Sequence, residues 1–281
     1  MSQIKIKSFA KLNLALNITG KKSTLHNIES IVAFISLHDE IFIKKIKSKF
    51  HNISFTGKFS QNIGKKNTVS KLLKVLEKKN LLKNKKFKIL INKNIPNKAG
   101  LGGGSMNAAK ILNYFMKKKV IKINQKKLFE ISKLIGSDVI LGLNSTSSIL
   151  RSNHKVKNFS NCVKFYTLIV KPNFGCSTKD IYSKVKKFNQ EKFNRPSKKM
   201  FSIDYLKTMR NDLEPIVLSK YPKLKSIKLF LEKLSKPVFV RMTGSGSAMV
   251  AYFQSKQRCD YAKKLFSKKY KNYWCITSKT I

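Results

Sequence analysis

From Gly100 to Asn107 the chain reads Gly-Leu-Gly-Gly-Gly-Ser-Met-Asn, a run with the makings of an anion site. Backbone amides that converge at a helix start present hydrogen-bond donors, and the positive end of the helix dipole, to phosphate oxygens. Gly102, Gly103 and Gly104 carry no side chain, so the main chain can come close to an anion. Ser105 and Asn107 add a hydroxyl and an amide. A flexible turn is the other use of glycine, yet a turn does not call for so many directly before a Ser-Met-Asn-Ala-Ala helix start. The chemistry expected here is the binding of a phosphorylated ligand.

Two familiar phosphate patterns do not fit. No Gly-Lys-Ser or Gly-Lys-Thr closes the run, so the lysine and the magnesium hydroxyl of a P-loop are missing. The dinucleotide fingerprint fails as well, because no acidic residue stands about 20 positions further on. What remains is Pro96 followed by Gly100-Leu101-Gly102-Gly103-Gly104-Ser105, one residue, then Asn107-Ala108-Ala109.

That stretch resembles the phosphate loop of the GHMP kinases, the galactokinase, homoserine, mevalonate and phosphomevalonate kinase superfamily. Phe9-Ala10-Lys11-Leu12-Asn13-Leu14 resembles the first strand of one branch, the diphosphocytidyl-methylerythritol kinases of the non-mevalonate isoprenoid pathway. His26-Asn27, Ile135-Gly136-Ser137-Asp138-Val139, Asn211-Asp212-Leu213-Glu214-Pro215 and Met242-Thr243-Gly244-Ser245-Gly246-Ser247 resemble later motifs of that branch in the same order. The resemblance spans about residues 6 to 253.

It implies a two-domain α+β fold, with a ribosomal-protein-like N-terminal domain over 1–157 and a ferredoxin-like C-terminal domain over 158–281. It also implies MgATP-dependent phosphorylation of the C2 hydroxyl of a cytidine diphosphate conjugate. Asp138 would be the base that takes the hydroxyl proton, and Lys11 the cation that stabilises that pair. ATP would lie on Pro96, Gly100 to Ser105 and Asn107, with Asn67 near the adenine. Asn13 and His26 would meet the cytidine diphosphate end, and Gly244 and Ser245 would face the phosphates. The branch carries Gly-Tyr where this chain has Thr24-Leu25, which removes one aromatic. Tyr182 is then a candidate to stack on cytosine, with simple packing as its other use.

These residues need elements to hold them. Alternation predicts a strand over Ile4 to Ile18 with Lys11 and Asn13 on one face, and further strand from Ile31 to Ile46, bent at His38-Asp39. Val69, Leu72, Leu73 and Leu76 are spaced for a helix over Thr68 to Lys79, capped by Asn67 or Thr68. Lys86 to Lys93 alternates as a strand that Ile95-Pro96 stops, and a helix is expected from Ser105 to Met116. A helix over Gln125 to Leu134 ends at Gly136, with Asp138 just beyond. Further on, the pattern predicts a strand at Lys164 to Lys171 and helices at Thr178 to Lys187, Asp204 to Tyr221 and Leu224 to Leu234. Strands at Val238 to Met242 and Ala248 to Phe253 flank the glycine turn, before a helix at Gln257 to Lys268 and a strand near Trp274. Without a long parallel βαβ run, the class is α+β.

The net charge of +47 comes mostly from lysine, with arginine at Arg151, Arg195, Arg210, Arg241 and Arg258. Base-edge recognition favours the arginine fork, and no aromatic RNA-binding signature accompanies the charge. Heavy use of Lys, Asn, Ile and Phe points to A- and T-rich codons, and the lysine runs read as solvated faces. A basic RNA-binding protein is the alternative of another class; a homoserine or mevalonate-type kinase is the alternative within the superfamily. No specific nucleic acid partner is expected. Cys162, Cys176, Cys259 and Cys275 lie too far apart for a metal site and read as reduced. No segment approaches a membrane span, so a cytoplasmic protein, monomer or homodimer, is expected.

Overall fold

The computed structural model describes residues 4–22 and 25–281, with the backbone alone at residues 22 and 25. Thr24 and the Leu25 side chain, which stand at the family's Gly-Tyr position, therefore lie outside the described residues. The chain falls into two compact units, each discontinuous in sequence. The first comprises Met1–Ala10, Leu37–Pro96 and Gly102–Ser145; the second comprises Lys11–Ser36, Asn97–Leu101 and Thr146–Ile281.

Strands β1 (Ile4–Lys22) and β2 (Leu25–Ile46) pair with each other, and both pass from one unit into the other. Within the first unit, β2 pairs antiparallel with β4 (Lys86–Asn92), from Glu40 opposite Asn92 to Ile46 opposite Lys86. The strand β3 (Asn52–Thr56) lies parallel to β4, and helix α1 (Thr68–Lys78) connects them. This local βαβ unit escapes the sequence pattern, because β3 is short and neither of its faces is fully buried.

Helix α1 forms where expected. The Asn67 side chain accepts from the Val69 and Ser70 amides, and Ser70 returns a bond to the Asn67 N–H, a closed capping box. Val69, Leu72, Leu73 and Leu76 face Phe87, Ile89 and Ile91 of β4, and each such burial contributes about 1.5–3 kcal/mol. Helix α2 (Gly103–Lys117) completes this core with Ala108, Ala109, Ile111, Leu112 and Phe115. It begins at Gly103 rather than at Ser105, so two glycines sit inside its first turn. Helix α3 (Gln125–Ile135), capped by Asn124, and the single turn α4 (Val139–Gly142) close the unit. Gly142 is required there, since a Cβ would come within 2.7 Å of the Ala109 methyl.

In the second unit β2 pairs antiparallel with β5 (Ser148–Leu150), which pairs with β6 (Val156–Asn158). A second, wholly antiparallel sheet has the order β10-β7-β9-β8. Its strands are β7 (Tyr166–Lys171), β8 (Phe239–Met242), β9 (Met249–Phe253) and β10 (Trp274–Lys279). Helices α5 (Thr178–Ser183), α6 (Ile203–Thr208), α7 (Glu214–Lys220), α8 (Pro222–Lys233) and α9 (Lys256–Lys269) complete it. The buried residues Leu224, Ile227 and Leu231 of α8 and Cys259, Ala262 and Phe266 of α9 form its helical layer.

Two expected helices are shorter than their pattern. The span 204–221 is not one helix: α6 ends at Thr208 and α7 begins at Glu214. Between them the Asp212 N–H bonds to Leu16 O, the Asn211 carbonyl oxygen Oδ1 takes the Leu213 N–H, and Pro215 has no N–H to give. Helix α5 stops at Ser183, and by Asn189 the chain is bonded to Ile18 of β1. Strand β2 starts six residues before the expected Ile31 and runs unbroken through His38-Asp39.

Candidate functional site

The glycine run is the entry to α2. Its N-cap, Gly102, has φ 72° and provides no side-chain cap, so the first-turn amides keep their donor capacity. Gly103 is crowded: a Cβ would come within 3.1 Å of both the Lys93 ammonium and the Ile95 methyl. Gly104 is exposed, and a Cβ there would lie 3.0 Å from the Thr68 hydroxyl. Thr68 therefore faces the loop, whereas the Asn67 side chain is engaged by the α1 cap and by the Gly64 carbonyl at 3.0 Å. Pro96 is buried where β4 gives way to the loop.

Beneath this turn lies a cluster that the sequence pattern does not disclose. Asp39, fully buried, accepts the Asn94 and Ile95 amides, each at 2.8 Å, on one oxygen. On the other it takes the Lys93 ammonium and the Asn107 side-chain amide. Asn107 is thus turned inward, 2% exposed, with its Oδ1 buried and without a hydrogen bond among the described residues. The hint in sequence is an Asp two residues before the apolar run Ile41-Phe42-Ile43 of β2. Ser105 is half-buried in the first turn of α2, with its hydroxyl 3.7 Å from where a Gly136 Cβ would stand. Asp138, two residues further, occupies the N-cap position of α4 but makes no side-chain cap bond to it. Its carboxylate is half-buried.

The second unit gathers the other expected residues. Lys11 and Asn13, each 3% exposed, share one face of β1, where the Lys11 ammonium donates to Asn13 Oδ1. The Asn13 amide donates to the Ser30 hydroxyl at 2.7 Å, and its N–H to the Thr243 hydroxyl at 3.0 Å. Asn13 is therefore a junction between Lys11 and the turn Thr243–Ser247. That turn meets the glycine run main chain to main chain. Gly100, at φ 74°, has the Thr243 carbonyl oxygen 1.9 Å from where a Cβ would be, and Gly244, at φ 53°, has the Gly100 carbonyl oxygen at 3.0 Å. Gly100 admits no other residue, and at Gly244 a side chain would be strained by the positive φ and crowded against the Gly100 main chain. Leu101 is buried, and its carbonyl accepts the Lys11 N–H at 3.1 Å.

Ser245 exchanges a hydrogen bond of 2.9 Å with Thr178 at the start of α5, the helix that carries Tyr182. The His26 ring sits 5.1 Å from the Tyr182 ring and 6.2 Å from the Phe188 ring. Phe188, 47% exposed, is an aromatic that sequence reasoning passes over, lying just beyond the expected helix Thr178 to Lys187 in a lysine-rich stretch. Burial, and then Lys21, lower the His26 pKa, so the ring is neutral near pH 7. Burial pushes the Cys176 thiol beside this turn up to about 11, which keeps it protonated and inert.

Comparison with known proteins bears on this arrangement. Residues 67–149 match the GHMP kinases N terminal domain. The 4-diphosphocytidyl-2-C-methyl-D-erythritol kinase of Pelagibacter ubique is 57% identical over 281 residues, covering 100% of both chains. The kinase of the same name from Clostridioides difficile is 30% identical, over 99% of this chain and 96% of that one. Among solved structures, a 4-(cytidine 5'-diphospho)-2C-methyl-D-erythritol kinase superposes with a TM-score of 0.78 at 23% identity, covering 98% of this chain and 99% of that one. Homoserine kinase from Cytophaga hutchinsonii superposes with a TM-score of 0.73 at 16% identity, over 100% and 95%. At those identities the two structures speak to the fold, which is that of the GHMP kinases; the full-length sequence identity goes further. With a glycine run that opens α2, a lysine–asparagine pair on β1 and a second glycine turn set against the first, the chain belongs to the 4-diphosphocytidyl-2-C-methyl-D-erythritol kinases.

Proposed function

We propose that this protein transfers the γ-phosphate of ATP to the C2 hydroxyl of 4-diphosphocytidyl-2-C-methyl-D-erythritol, a step in the methylerythritol phosphate route to isoprenoid precursors. The observation that carries the reading is the uncapped first turn of α2, entered through Gly102 in the left-handed region. It offers convergent amides to the terminal phosphates, and phosphoryl transfer depends chiefly on such positioning and charge stabilisation.

In the roles we assign, Asp138 accepts the proton of the C2 hydroxyl as its oxygen attacks the γ-phosphorus, and ADP leaves. Lys11, held by Asn13, supplies positive charge to the deprotonated hydroxyl and carboxylate. Ser105 and the main chain of Gly100 to Gly104 hold the phosphates; Pro96 and Asn67 fix the ends of the segments that frame them. His26, Tyr182, Gly244 and Ser245 serve the cytidine diphosphate side. The Ser105 hydroxyl in the first turn of α2 is a donor type that suits magnesium carried mainly by the nucleotide phosphates. The ion would neutralise phosphate charge. The sequence halves 1–157 and 158–281 would divide these tasks, the first bearing the phosphate loop and the base.

Among the described residues no helix is long and apolar enough to cross a membrane. We place the enzyme in the cytoplasm as a monomer or homodimer, with small molecules as partners and no specific nucleic acid. The test is ADP release with magnesium and a panel of acceptors: the cytidine diphosphate conjugate, homoserine and mevalonate. Turnover with the first alone is expected, and Asp138→Asn should abolish it while nucleotide still binds. Tight RNA binding with no acceptor-dependent turnover would overturn the assignment.

A further inference from the structure

The motif Asn211-Asp212-Leu213-Glu214 is itself assigned no chemical role, yet Asn211, Leu213 and Glu214 are buried between two segments that carry residues with such roles. Asn211 is 1% exposed, and its amide nitrogen donates to the Met242 and Gly244 carbonyls, both at 2.8 Å. Its Oδ1 takes the Leu213 N–H at 3.0 Å, which fixes the orientation of the amide. Glu214 accepts the Met242 N–H at 2.6 Å, so Met242 is held at both its carbonyl and its amide by one motif. The second Glu214 oxygen binds the Lys228 ammonium.

The same motif grips β1. The Leu16 N–H bonds to Arg210 O at 3.0 Å, the Asp212 N–H to Leu16 O at 2.9 Å, and the Ile18 N–H to Asp212 Oδ2 at 2.8 Å. Beyond Met242 the bonds continue into the turn. The Thr243 hydroxyl accepts from Asn13 N–H and lies 3.2 Å from the Gly100 carbonyl, to which it can donate its proton. The Ser247 and Ala248 amides bond to the Lys98 and Ala99 carbonyls, each at 3.3 Å. A single buried motif thus fastens the strand that bears Lys11 and the segment Lys98–Gly100 that leads into the phosphate loop.

We propose that Asn211 and Glu214 are positioning residues for phosphoryl transfer, setting the height of the Thr243–Gly244 turn and hence the place of Gly100. This rests on the kinase reading above and deepens it. The Met242–Gly244 backbone has no slack: Gly100 meets it with main chain on both sides, so a shift of the turn moves the loop entry. Displacement of a reacting group by about 1 Å can cost about 100-fold in rate.

The test is steady-state kinetics of the full chain carrying Glu214→Leu, Glu214→Gln, Asn211→Asp or Thr243→Val. Glu214→Gln keeps an acceptor for the Met242 N–H; Glu214→Leu does not. Glu214→Leu and Asn211→Asp should lower kcat/KM for ATP by about 10- to 100-fold, mostly in kcat; Glu214→Leu, which leaves the Asn211 bond to Gly244 in place, should change KM for the cytidine diphosphate conjugate less than about twofold. Glu214→Gln should recover most of the loss. Phe266→Leu in α9, a core change away from this network, calibrates what destabilisation alone does to the kinetics. If the variants lose active fraction but the remaining enzyme keeps wild-type kcat and KM, as for Phe266→Leu, the proposal fails. Should the leucine and aspartate variants not fold, Thr243→Val decides it: unchanged kcat there overturns the linkage from turn to loop. A wild-type chain without acceptor-dependent turnover would instead defeat the kinase reading, a separate outcome.

Discussion

The Lys93 ammonium and the Asp39 carboxylate form an ion pair whose side chains are 3% and 0% exposed. Both remaining bonding directions of Asp39 point to the loop region, to the amides that follow β4 and to Asn107 in α2. Removing one partner leaves the other charged and buried, which costs about 3–5 kcal/mol. Asp39→Asn should therefore lower unfolding stability in urea by that amount. The exposed pair Lys5–Glu40, at 52% and 21%, gives the contrast: Lys5→Met should change it by about 0–1 kcal/mol. Equal effects from the two variants would mean that Asp39 does not need its cation.

Gly100→Ala places a methyl 1.9 Å from the Thr243 carbonyl oxygen at a positive φ. ATP turnover should fall by at least about 100-fold, because the loop entry or the turn must move. Gly64→Ala, with nothing within 4 Å of the added carbon, should be silent in the same assay.

Phe188→Ala removes the exposed aromatic beside His26. If that ring contacts the base of the substrate, KM for the cytidine diphosphate conjugate should rise about tenfold, as loss of base stacking commonly gives. KM for ATP should not move. A change confined to ATP would place Phe188 elsewhere.

His51 should make stability depend on pH. Its Nδ1 accepts the Phe87 N–H at 3.0 Å, and burial, outweighing Glu77 beside Nε2, keeps its pKa below the ordinary 6.5. The unfolded chain then binds a proton that the folded chain resists, so stability is complete above 6.5 and falls as pH drops below it. Tm should decline over that interval, and His51→Asn, whose Oδ1 can still accept from Phe87, should flatten the decline. His26, lowered in the same direction, leaves a residual slope.

Much of this was legible in the sequence because it was local. The α1 cap and its four buried apolar residues, the alternation of β4 and the glycine run are patterns within a dozen positions of one another. What escaped was nonlocal. Asp39 looks like a break in a strand until Lys93 and Asn107 arrive from 54 and 68 positions away. The helical spacing through 204–221 is real, but Asn211 and Asp212 use their amides and carboxylate on β1 and on the Met242–Gly244 backbone, and those partners outweigh helix propensity. Strands β3, β5 and β6 are three to five residues long, too short for an alternation to register.

The meeting of Gly100 with Thr243 and Gly244 limits how this chain can diverge. Six of its 12 glycines lie in the two segments concerned, in a protein whose other positions lean toward lysine, asparagine and isoleucine. A methyl at residue 100 would strike the Thr243 main chain and one at residue 244 would press on that of Gly100, and a backbone cannot be trimmed the way a side chain can. No second substitution across the contact restores the space, so drift toward alanine or serine is closed at residue 100 and strained at residue 244.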